Sequence, residues 1–326
     1  MRNKSDDIVF TKTAWSGEPT VRVAVLVPCF NEAATIGNLV RGLRRALPRA
    51  AIHVFDNAST DETAECARAA GATVSTVLLR GKGNVTRRMF ADVEADVYVM
   101  LDGDGTYDPA DAPRLVRALI DDNLDMVIGR RIDDGAQVYR PGHRFGNRLL
   151  TGSVCALFGG QIQDMLTGYR VFSRRFAKSF PALSSGFEIE TELTIHALEL
   201  RMPFTELPVA YGTRHEESSS KLSTIGDGVR IFRTIGKLYI SERPLHFFSI
   251  VSLVLAVASL LAAVPLALTF LESGLVPRLP TAVLVTGVML TAILLFVCGV
   301  VLHSVTLGRQ EAKRLRYLAV PGVRHA

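Results

Sequence analysis

Two long stretches without charged side chains constrain this chain more than any other feature of its sequence. Residues 247–271 and residues 279–308 contain no Asp, Glu, Lys or Arg. About 20 consecutive apolar residues are enough for a helix to cross the hydrocarbon core of a bilayer. Two buried core helices at the end of a soluble domain are the alternative, and they would be unusual. The sequence therefore predicts two transmembrane helices, linked by a turn at 272–280.

The charges around these stretches predict how the chain is oriented. Basic residues precede the first stretch and follow the second; they are Arg230, Arg233, Lys237, Arg243, Arg309, Lys313, Arg314 and Arg316. Cytoplasmic flanks of membrane helices carry an excess of Lys and Arg. We therefore expect a multi-pass protein of the cell (inner) membrane with both termini in the cytoplasm.

A further helix is predicted just before the first apolar stretch. Between residues 224 and 239 apolar side chains recur at helical spacing among basic ones; they are Ile225, Val229, Ile231, Phe232, Ile235 and Leu238. A helix with one apolar and one basic face is typical of segments that lie on a membrane surface.

The N-terminal two thirds have a different pattern. From residue 21 to residue 128 short apolar runs alternate with amphipathic stretches, as in βαβ units. The runs at 23–27 and 97–101 are apolar at every position, which is typical of parallel strands covered by helices on both faces. Residues 130–222 lack a clean period and are expected to add loops, helices and an edge hairpin. The predicted fold class is α/β, with a Rossmann-like, mainly parallel sheet.

Composition narrows the function classes. The balance of 37 Lys and Arg against 32 Asp and Glu gives a net charge of +5, too small to indicate a nucleic-acid-binding protein. The four cysteines contain no Cys-x-x-Cys pair and are interpreted as ordinary reduced residues. Residues 1–20 lack the apolar core of a signal peptide, so we expect the N-terminal domain to stay in the cytoplasm.

Polar residues cluster directly after three of the predicted strands. Asn31 and Glu32 follow the first strand, Asp56 ends the second, and Asp102 and Asp104 follow a later one. Open α/β sheets bind ligands at the carboxyl ends of their strands. Two neighbouring carboxylates favour a cation between them, and oxygen ligands suit Mg²⁺ or Mn²⁺. Asp/Gly-rich turns and helix caps are the alternatives, and the recurrence after three strands favours a ligand site.

Several motifs in residues 21–222 together resemble one known family. They are VPCFNE (27–32), DNASTDET (56–63), GKGN (81–84), DGDGTYDP (102–109), DMLTGYRVFSRR (164–175), GFEIETE (186–192) and the spaced residues Tyr211, Arg214, Ser220, Lys221 and Leu222. Their order and spacing resemble family-2 glycosyltransferases of GT-A fold. The later motifs are similar to the dolichyl- or polyprenyl-phosphate sugar transferase branch, which is dolichol-phosphate mannosyltransferase-like.

The resemblance implies an activity and partners. The implied reaction moves a hexose from a GDP- or UDP-sugar to a polyprenyl (undecaprenyl or dolichyl) phosphate by metal-dependent, inverting single displacement. The implied partners are the nucleotide-sugar, the lipid phosphate and the membrane. No nucleic acid is implied, and a homo-oligomer is left open.

The sequence patterns and the resemblance together predict a division of the chain. An N-terminal arm (1–20) precedes a GT-A catalytic domain (21–222) and a juxtamembrane amphipathic helix (223–246). A two-helix membrane anchor (247–308) and a basic cytoplasmic tail (309–326) follow.

Carried over position by position, the resemblance implies the site residues. The implied donor nucleotide-binding residues are Pro28, Asn31, Glu32, Asp56, Lys82 and Asp102. Asp102 and Asp104 are implied to bind the metal, Mg²⁺ or Mn²⁺, and Asp104 and Asp164 to be catalytic. Family members often have Gln two residues after the second Asp, where this chain has Thr106, so a third protein ligand is not implied. The implied acceptor-phosphate residues are Arg131, Arg144, Arg214 and Lys221.

The role of Asp164 is left open by its chemistry. A phosphate monoester has a second pKa of about 6 and is largely dianionic at neutral pH, so a strong base is not obligatory. Asp164 is therefore a base, a group that orients the acceptor or the sugar, or a cap of the following turn. The arginines suit phosphate because a guanidinium presents a planar fork of donors, although lipid headgroups are an alternative ligand.

Other function classes fit the sequence less well. Processive polysaccharide synthases resemble one another in a Gln-x-x-Arg-Trp motif, and the one tryptophan of this chain is Trp15. A nucleotidyltransferase would not need two membrane spans, and a nicotinamide oxidoreductase would need Gly-x-Gly-x-x-Gly after the first strand. A non-catalytic membrane protein that binds nucleotide-sugar, and a glycosyltransferase with another acceptor, stay as alternatives.

Overall fold

The computed structural model describes residues 21–132, 143–212 and 224–323, with all their side chains except those of 143–146, 224–228 and 230. The chain divides into two compact units. We call Met1–Ile231 together with Arg316–Ala326 the sheet unit, and Phe232–Leu315 the hairpin unit. Each is described by itself.

The sheet unit is built on seven strands. They are β1 (Val23–Cys29), β2 (Ala51–Asp56), β3 (Thr73–Thr76), β4 (Val97–Met100), β5 (Met126–Ile132), β6 (Arg170–Ser173) and β7 (Phe204–Ala210). Their order in the sheet is β3-β2-β1-β4-β6-β5-β7. All neighbours pair in parallel except β6, which runs antiparallel to β4 and β5. The predicted mainly parallel α/β sheet is confirmed.

Helices connect and follow the strands. In the sheet unit they are α1 (Ala33–Ala46), α2 (Thr63–Ala69), α3 (Lys82–Asp92), α4 (Ala112–Asp121), α5 (His143–Phe158), α6 (Arg174–Ser179) and α7 (Ile189–Glu199). A single 3-10 turn, Pro109–Asp111, precedes α4. The chain continues through α8 (Thr224–Glu242), α9 (Pro244–Ser273) and α10 (Leu279–Leu318).

The two continuously apolar runs become central strands because both of their faces are covered. Side chains alternate between the two faces of a strand. Val25 and Val99 lie in the core that includes the buried residues of α1 and α4. On β4 the intervening Tyr98 contacts Phe90 of α3, with ring centroids 5.9 Å apart. Helices thus cover both faces of the sheet.

The edge hairpin expected within residues 130–222 is not found among the described residues. β6 lies inside the sheet, between β4 and β5, and β7 pairs in parallel with β5 at the edge. The strands of this region are separated by helices α5, α6 and α7, so none of them follows its neighbour through a tight turn. Two-stranded hairpins require such a turn.

The hairpin unit contains α9 and α10 as an antiparallel pair. Gly274, with φ of 69°, ends α9 in the left-handed conformation that favours glycine. Ser252 donates to the carbonyl of Ala292 at 2.7 Å, and Ser259 donates to that of Val285 at 2.8 Å. Both helices are long and apolar enough to cross a membrane, and only 11% of the most apolar window of each is buried. That low burial distinguishes them from core helices of a soluble protein.

The predicted surface helix corresponds to α8. Among its described side chains Ile231 and Ile235 are buried, whereas Val229 and Phe232 are exposed. Some apolar side chains of this helix are therefore buried and others are exposed to solvent. The placement of α8 on a membrane surface stays a prediction.

Candidate active site

The carboxyl ends of three adjacent parallel strands form one edge of the sheet, which we call the carboxyl edge. β1 ends at Cys29, β2 at Asp56 and β4 at Met100, and β1 pairs with both of the others. Ligands of open α/β sheets bind outside such an edge. The loops predicted to bind a ligand begin here.

Asp56 has an incompletely satisfied carboxylate at this edge. The residue is 5% exposed, and its Oδ2 accepts a hydrogen bond from the Ser59 backbone N–H at 3.3 Å. Its buried Oδ1 has no hydrogen-bond partner among the described residues. A buried polar atom without a partner costs free energy, so this oxygen suits a donor from a ligand.

Pro28, Asn31 and Glu32 build the neighbouring loop. Asn31 adopts a left-handed conformation with φ of 53°, and its Oδ1 accepts from the Thr60 backbone N–H at 2.8 Å. The Asn31 backbone N–H donates to Ser59 Oγ at 2.9 Å. Pro28 is half-buried near the end of β1, and Glu32 is buried at the start of α1. Asn31 thus ties the loop after β1 to the loop after β2.

Lys82 lies between two carboxylates. Its Nζ is 2.5 Å from Asp102 Oδ1 and 2.6 Å from Glu190 Oε1. Burial alone would lower the pKa of Lys82, but the two carboxylates outweigh burial and raise this pKa above its ordinary value. Burial raises the pKa of Glu190, whose Oε2 has no hydrogen-bond partner among the described residues. Lys82 therefore stays protonated beside Asp102 at neutral pH.

Gly168 leaves room for the Asp102 carboxylate. A Cβ at position 168 would lie 2.1 Å from Asp102 Oδ2, closer than any non-bonded contact allows. The Asp102 side chain is 30% exposed. A side chain at position 168 would have to displace Asp102 from its place at the carboxyl edge.

Thr106 braces the second carboxylate of the pair. Its Oγ1 donates to Asp104 Oδ1 at 2.6 Å, and its backbone N–H donates to the same oxygen at 3.1 Å. In the part of the chain that the structure describes, no group of three or more His, Cys, Asp or Glu residues is arranged to hold a metal ion. Among the described residues, Asp102 and Asp104 are the carboxylates that the sequence analysis assigned to a cation.

Asp164 is held by Arg131 in a two-pronged contact. Arg131 Nε donates to Oδ2 at 2.8 Å, and Arg131 Nη2 donates to Oδ1 at 2.7 Å. Asn147 Nδ2 also donates to Oδ1, at 3.0 Å. Burial opposes ionisation of Asp164, but the hydrogen bonds and charge of Arg131 prevail and lower its pKa below the ordinary value. Asp164 is therefore an ionised carboxylate and a weak base.

Tyr107 joins the loop of the Asp102–Asp104 pair to the loop of Asp164. The Tyr107 hydroxyl accepts from the Gly168 backbone N–H at 3.0 Å and donates to Thr167 Oγ1 at 3.2 Å. Thr167 Oγ1 in turn donates to the carbonyl of Gly129 at 2.7 Å. Two acidic loops that are distant in sequence are thereby held together.

Arg170 shapes the Asp164 loop from within the core. Its guanidinium is fully buried and donates to the carbonyls of Met165 and Thr167 and, at 2.9 Å, to Thr194 Oγ1 of α7. Burial lowers the pKa of Arg170 to about 10, and the residue stays protonated at neutral pH. The loop is thus joined to α7 by a charged side chain whose three nitrogens all donate hydrogen bonds.

The predicted acceptor-phosphate residues are only partly described. Arg214 and Lys221 lie outside the described residues, as does the side chain of Arg144. Arg131 is described; besides its contact with Asp164, its guanidinium lies 5.3 Å from the ring centroid of Tyr211.

Glu190 and Gly168 are site residues that the sequence analysis did not single out. Both lie within motifs of the family resemblance, at 186–192 and 164–175, and that membership was the one available signal. The contact of Glu190 with Lys82 joins the first turns of α7 and α3. A contact between two such distant helices is set by the tertiary fold.

Comparison with known proteins reveals a family and a fold. The chain matches the family "Glycosyl transferase family 2" over residues 24–180. Glycosyltransferase AglJ of Haloferax volcanii is 31% identical over 303 residues, which cover 91% of this chain and 98% of that protein. The undecaprenyl-phosphate mannosyltransferase of Micrococcus luteus is 29% identical over 228 residues, 64% of this chain and 91% of that protein.

A solved structure shares the fold over about two thirds of this chain. It is glucosyl-3-phosphoglycerate synthase from Mycobacterium tuberculosis in complex with Mn²⁺, UDP-glucose and phosphoglyceric acid. The two chains align with a TM-score of 0.54 at 23% identity, over 66% of this chain and 79% of the other.

Proposed function

The chain belongs to glycosyl transferase family 2, and from this membership we propose that it moves a hexose from a nucleotide-sugar to a polyprenyl phosphate in the membrane. The Micrococcus luteus relative is named for mannosyl transfer with undecaprenyl phosphate. Two helices long and apolar enough to cross a bilayer suit an acceptor that cannot leave the membrane. The observation that carries the proposal is the buried Lys82 cation beside Asp102 at the carboxyl edge.

Asp56 and Lys82 are proposed to hold the two ends of the donor nucleotide. The unpartnered Oδ1 of Asp56 accepts a ring N–H of the base. Guanine and uracil both carry such a group, so Asp56 supports GDP and UDP equally. The Lys82 ammonium attracts the diphosphate, while Pro28, Asn31 and Glu32 form the wall of the nucleoside site. If Asp102 binds a metal ion, Glu190 would keep Lys82 protonated and in position.

The donor set fits a divalent cation. Asp102 and Asp104 offer carboxylate oxygens, the ligands that Mg²⁺ and Mn²⁺ prefer, and the missing Cβ of Gly168 lets the Asp102 carboxylate lie at the carboxyl edge. The Mycobacterium tuberculosis enzyme of the same fold holds Mn²⁺ together with UDP-glucose. When bound, the ion would supply positive charge to the departing diphosphate.

The reaction is an inverting single displacement. An oxygen of the lipid phosphate forms a bond to the anomeric carbon while the bond from that carbon to the diphosphate oxygen breaks, and the nucleoside diphosphate leaves. The acceptor phosphate is already an anion, so no proton needs to be removed. Asp164 accordingly acts as an orienting group and not as a base. Its ionised carboxylate accepts two hydrogen bonds from the Arg131 guanidinium and holds it near the acceptor. Arg144, Arg214 and Lys221 are proposed to bind the acceptor phosphate as well.

The test is transfer of radiolabel from a panel of GDP- and UDP-hexoses to polyprenyl phosphate in membranes that contain the protein. We expect label in the lipid fraction from one donor, its loss with EDTA and its return with Mg²⁺ or Mn²⁺. Asp104→Asn should lower transfer by about 10²–10³-fold, because charge stabilisation at the leaving group is lost. An asparagine Oδ1 still accepts from Thr106, so the loop keeps its hydrogen bonds.

Asp108→Asn is the matched control. Asp108 is exposed in the same loop, and its Oδ1 accepts from the Ala110 backbone N–H, a role that asparagine also fills. Its transfer rate should equal that of the wild type. Undiminished transfer in excess EDTA would exclude the metal-dependent part of the proposal. An inserted, folded protein that labels no lipid from any donor would exclude the polyprenyl acceptor.

A further inference from the structure

The amino end of β5 carries a buried ionic cluster that the proposed reaction does not use. Asp125 directly precedes β5, whereas Arg131 lies near the other end of this strand. Six residues of extended strand separate the two positions by about 20 Å. The cluster around Asp125 therefore lies on the opposite side of the sheet unit from the candidate active site.

Asp125 is fully buried, and its two oxygens have different partners. Oδ1 accepts from Ser173 Oγ at 2.7 Å and from Arg175 Nε. Oδ2 accepts from the Tyr317 hydroxyl at 2.7 Å, and this is its one donor among the described residues. A buried carboxylate is costly unless its oxygens are hydrogen-bonded. The second oxygen of Asp125 is thus satisfied by the last turn of α10.

The residues after Tyr317 continue along the same surface. The Arg175 guanidinium lies 4.8 Å from the centroid of the Tyr317 ring. A Cβ built on Gly322 would lie 3.4 Å from Arg175 Nη1 and 3.7 Å from Asn123 Oδ1. Val323 packs against the hydrophobic core of the sheet unit. The hydroxyl and the ring of Tyr317 and the side chain of Val323 thus contact the same surface of the sheet unit.

The C-terminal segment reaches this surface through α10. The sheet unit comprises Met1–Ile231 and Arg316–Ala326, so the chain leaves it before the hairpin unit and returns to it afterwards. The apolar stretch of α10 ends at Gly308, and the helix continues without a break to Leu318. Ten further helical residues extend about 15 Å. The chain therefore re-enters the sheet unit as the last turn of α10, and residues 319–323 follow without helical structure.

We propose that Asp125 and Arg175 form a docking site for the chain's own C-terminal segment, Arg316–Val323, and that Tyr317 is the residue that closes it. The chain thus joins the sheet unit on both sides of the hairpin unit in sequence, at Ile231 and at Arg316. We expect this second junction to matter for transfer to an acceptor held in the membrane. That expectation rests on the proposed function, whereas the docking itself does not.

Docking is tested by cross-linking Asn123→Cys to Gly322→Cys with a short bismaleimide, in full-length protein whose native cysteines are replaced by alanine. We expect efficient cross-linking in membranes, and none with either cysteine alone. Adding Tyr317→Asp, which places a carboxylate against Asp125, should lower the yield about tenfold or more. Adding Tyr239→Phe should leave the yield unchanged, because the Tyr239 hydroxyl contacts His246 within the hairpin unit. An absent cross-link, or one that Tyr317→Asp does not diminish, overturns the proposal.

A graded readout uses hydrogen exchange of residues 316–323 in the native-cysteine protein. Tyr317→Phe keeps the ring and removes only the hydroxyl, so exchange should accelerate about tenfold, the effect of one hydrogen bond to a charged acceptor. Unchanged exchange would overturn the role of Tyr317. For function, Tyr317→Asp should lower transfer to long-chain polyprenyl phosphate several-fold while sparing a short, water-soluble prenyl phosphate. An equal loss with both acceptors would overturn the expected role in transfer to a membrane acceptor while leaving the docking result intact.

Discussion

At the scale of single residues, the position of the Asp102 carboxylate depends on the absence of a Cβ at Gly168. Gly168→Ala would put a Cβ 2.1 Å from Asp102 Oδ2 and push the carboxylate out of position. Because misplacing a reacting group by about 1 Å costs on the order of 10²-fold, we expect a loss of transfer of about that size. The initial rate with saturating nucleotide-sugar measures it.

Gly152→Ala is the control for this substitution. Gly152 lies on α5, where a Cβ would meet nothing within 4 Å, so alanine there should leave transfer unchanged. Its higher helix propensity should add about 0.5–1 kcal/mol of stability. If Gly168→Ala retained full activity, the close packing of Asp102 against this glycine would have no catalytic importance.

The pairing of Asp164 with Arg131 predicts a pH-dependent stability. Folding lowers the pKa of Asp164, so its contribution is fully present above the ordinary value of 3.8 and is lost as the pH falls through the lower, folded value. Arg131→Gln removes the cation that lowers this pKa. We expect a loss of about 3 kcal/mol at pH 7, because a buried carboxylate is left unpaired, and a smaller loss at pH 4.5, because protonation of the unpaired carboxyl relieves that cost.

Urea unfolding of the detergent-solubilised protein at pH 7 and pH 4.5, followed by circular dichroism, measures both effects. Arg130→Gln serves as the reference, since Arg130 donates to the neutral side chain of Gln163. This variant should lose less than about 1 kcal/mol. Equal losses in the two variants would show that the ion pair adds nothing beyond a generic arginine contact.

At the scale of secondary-structure elements, one side chain at the end of β2 shapes the loop between β3 and α3. Asn57 Nδ2 donates to the carbonyls of Val77 and Leu79 at 2.9 and 2.8 Å, and Asn57 Oδ1 accepts from the Gly81 backbone N–H at 2.7 Å. This loop leads directly into Lys82. The position of the Lys82 cation therefore depends on Asn57, the residue that follows β2.

Asn57→Ala removes all three hydrogen bonds at once. We expect a loss of about 2 kcal/mol in the free energy of unfolding, faster hydrogen exchange over residues 77–81 and a higher KM for the nucleotide-sugar. Asn38→Ala is the comparison, because Asn38 is exposed on α1 and accepts only from Arg41 among the described residues. An exchange pattern in Asn57→Ala identical to that of Asn38→Ala would contradict the role assigned to Asn57.

At the scale of the whole molecule, the flanking charges predict a topology that fusions can test. Green fluorescent protein fused after Ala326 should fluoresce in a bacterial host, because the C-terminus is expected in the cytoplasm. Alkaline phosphatase fused after Val276, between α9 and α10, should be active, because that turn is expected on the outer side. The reverse pattern in both fusions would invert the proposed orientation.

Much of the architecture follows from sequence patterns that act locally. Uncharged runs longer than a bilayer core allow few structures other than membrane helices, and strands such as β1 and β4 are apolar throughout because both their faces are covered. The Asp102–Asp104 pair could be predicted because both residues follow a buried strand within four positions. Such signals depend on neighbours along the chain, and they predicted the mainly parallel sheet and the two apolar helices.

Features that join distant segments were decided by the tertiary structure alone. The insertion of antiparallel β6 between β4 and β5, the contact of Lys82 with Glu190, the fork between Arg131 and Asp164, and the return of Tyr317 to Asp125 each pair segments far apart in sequence. Periodicity records whether a side chain is buried and does not record its partner. The sequence by itself therefore determined the parallel α/β pattern of residues 21–128, the two apolar helices, the family and the residue types of the candidate site. The fold decided which charges meet, because ionic contacts depend on distances of a few ångströms that only packing sets.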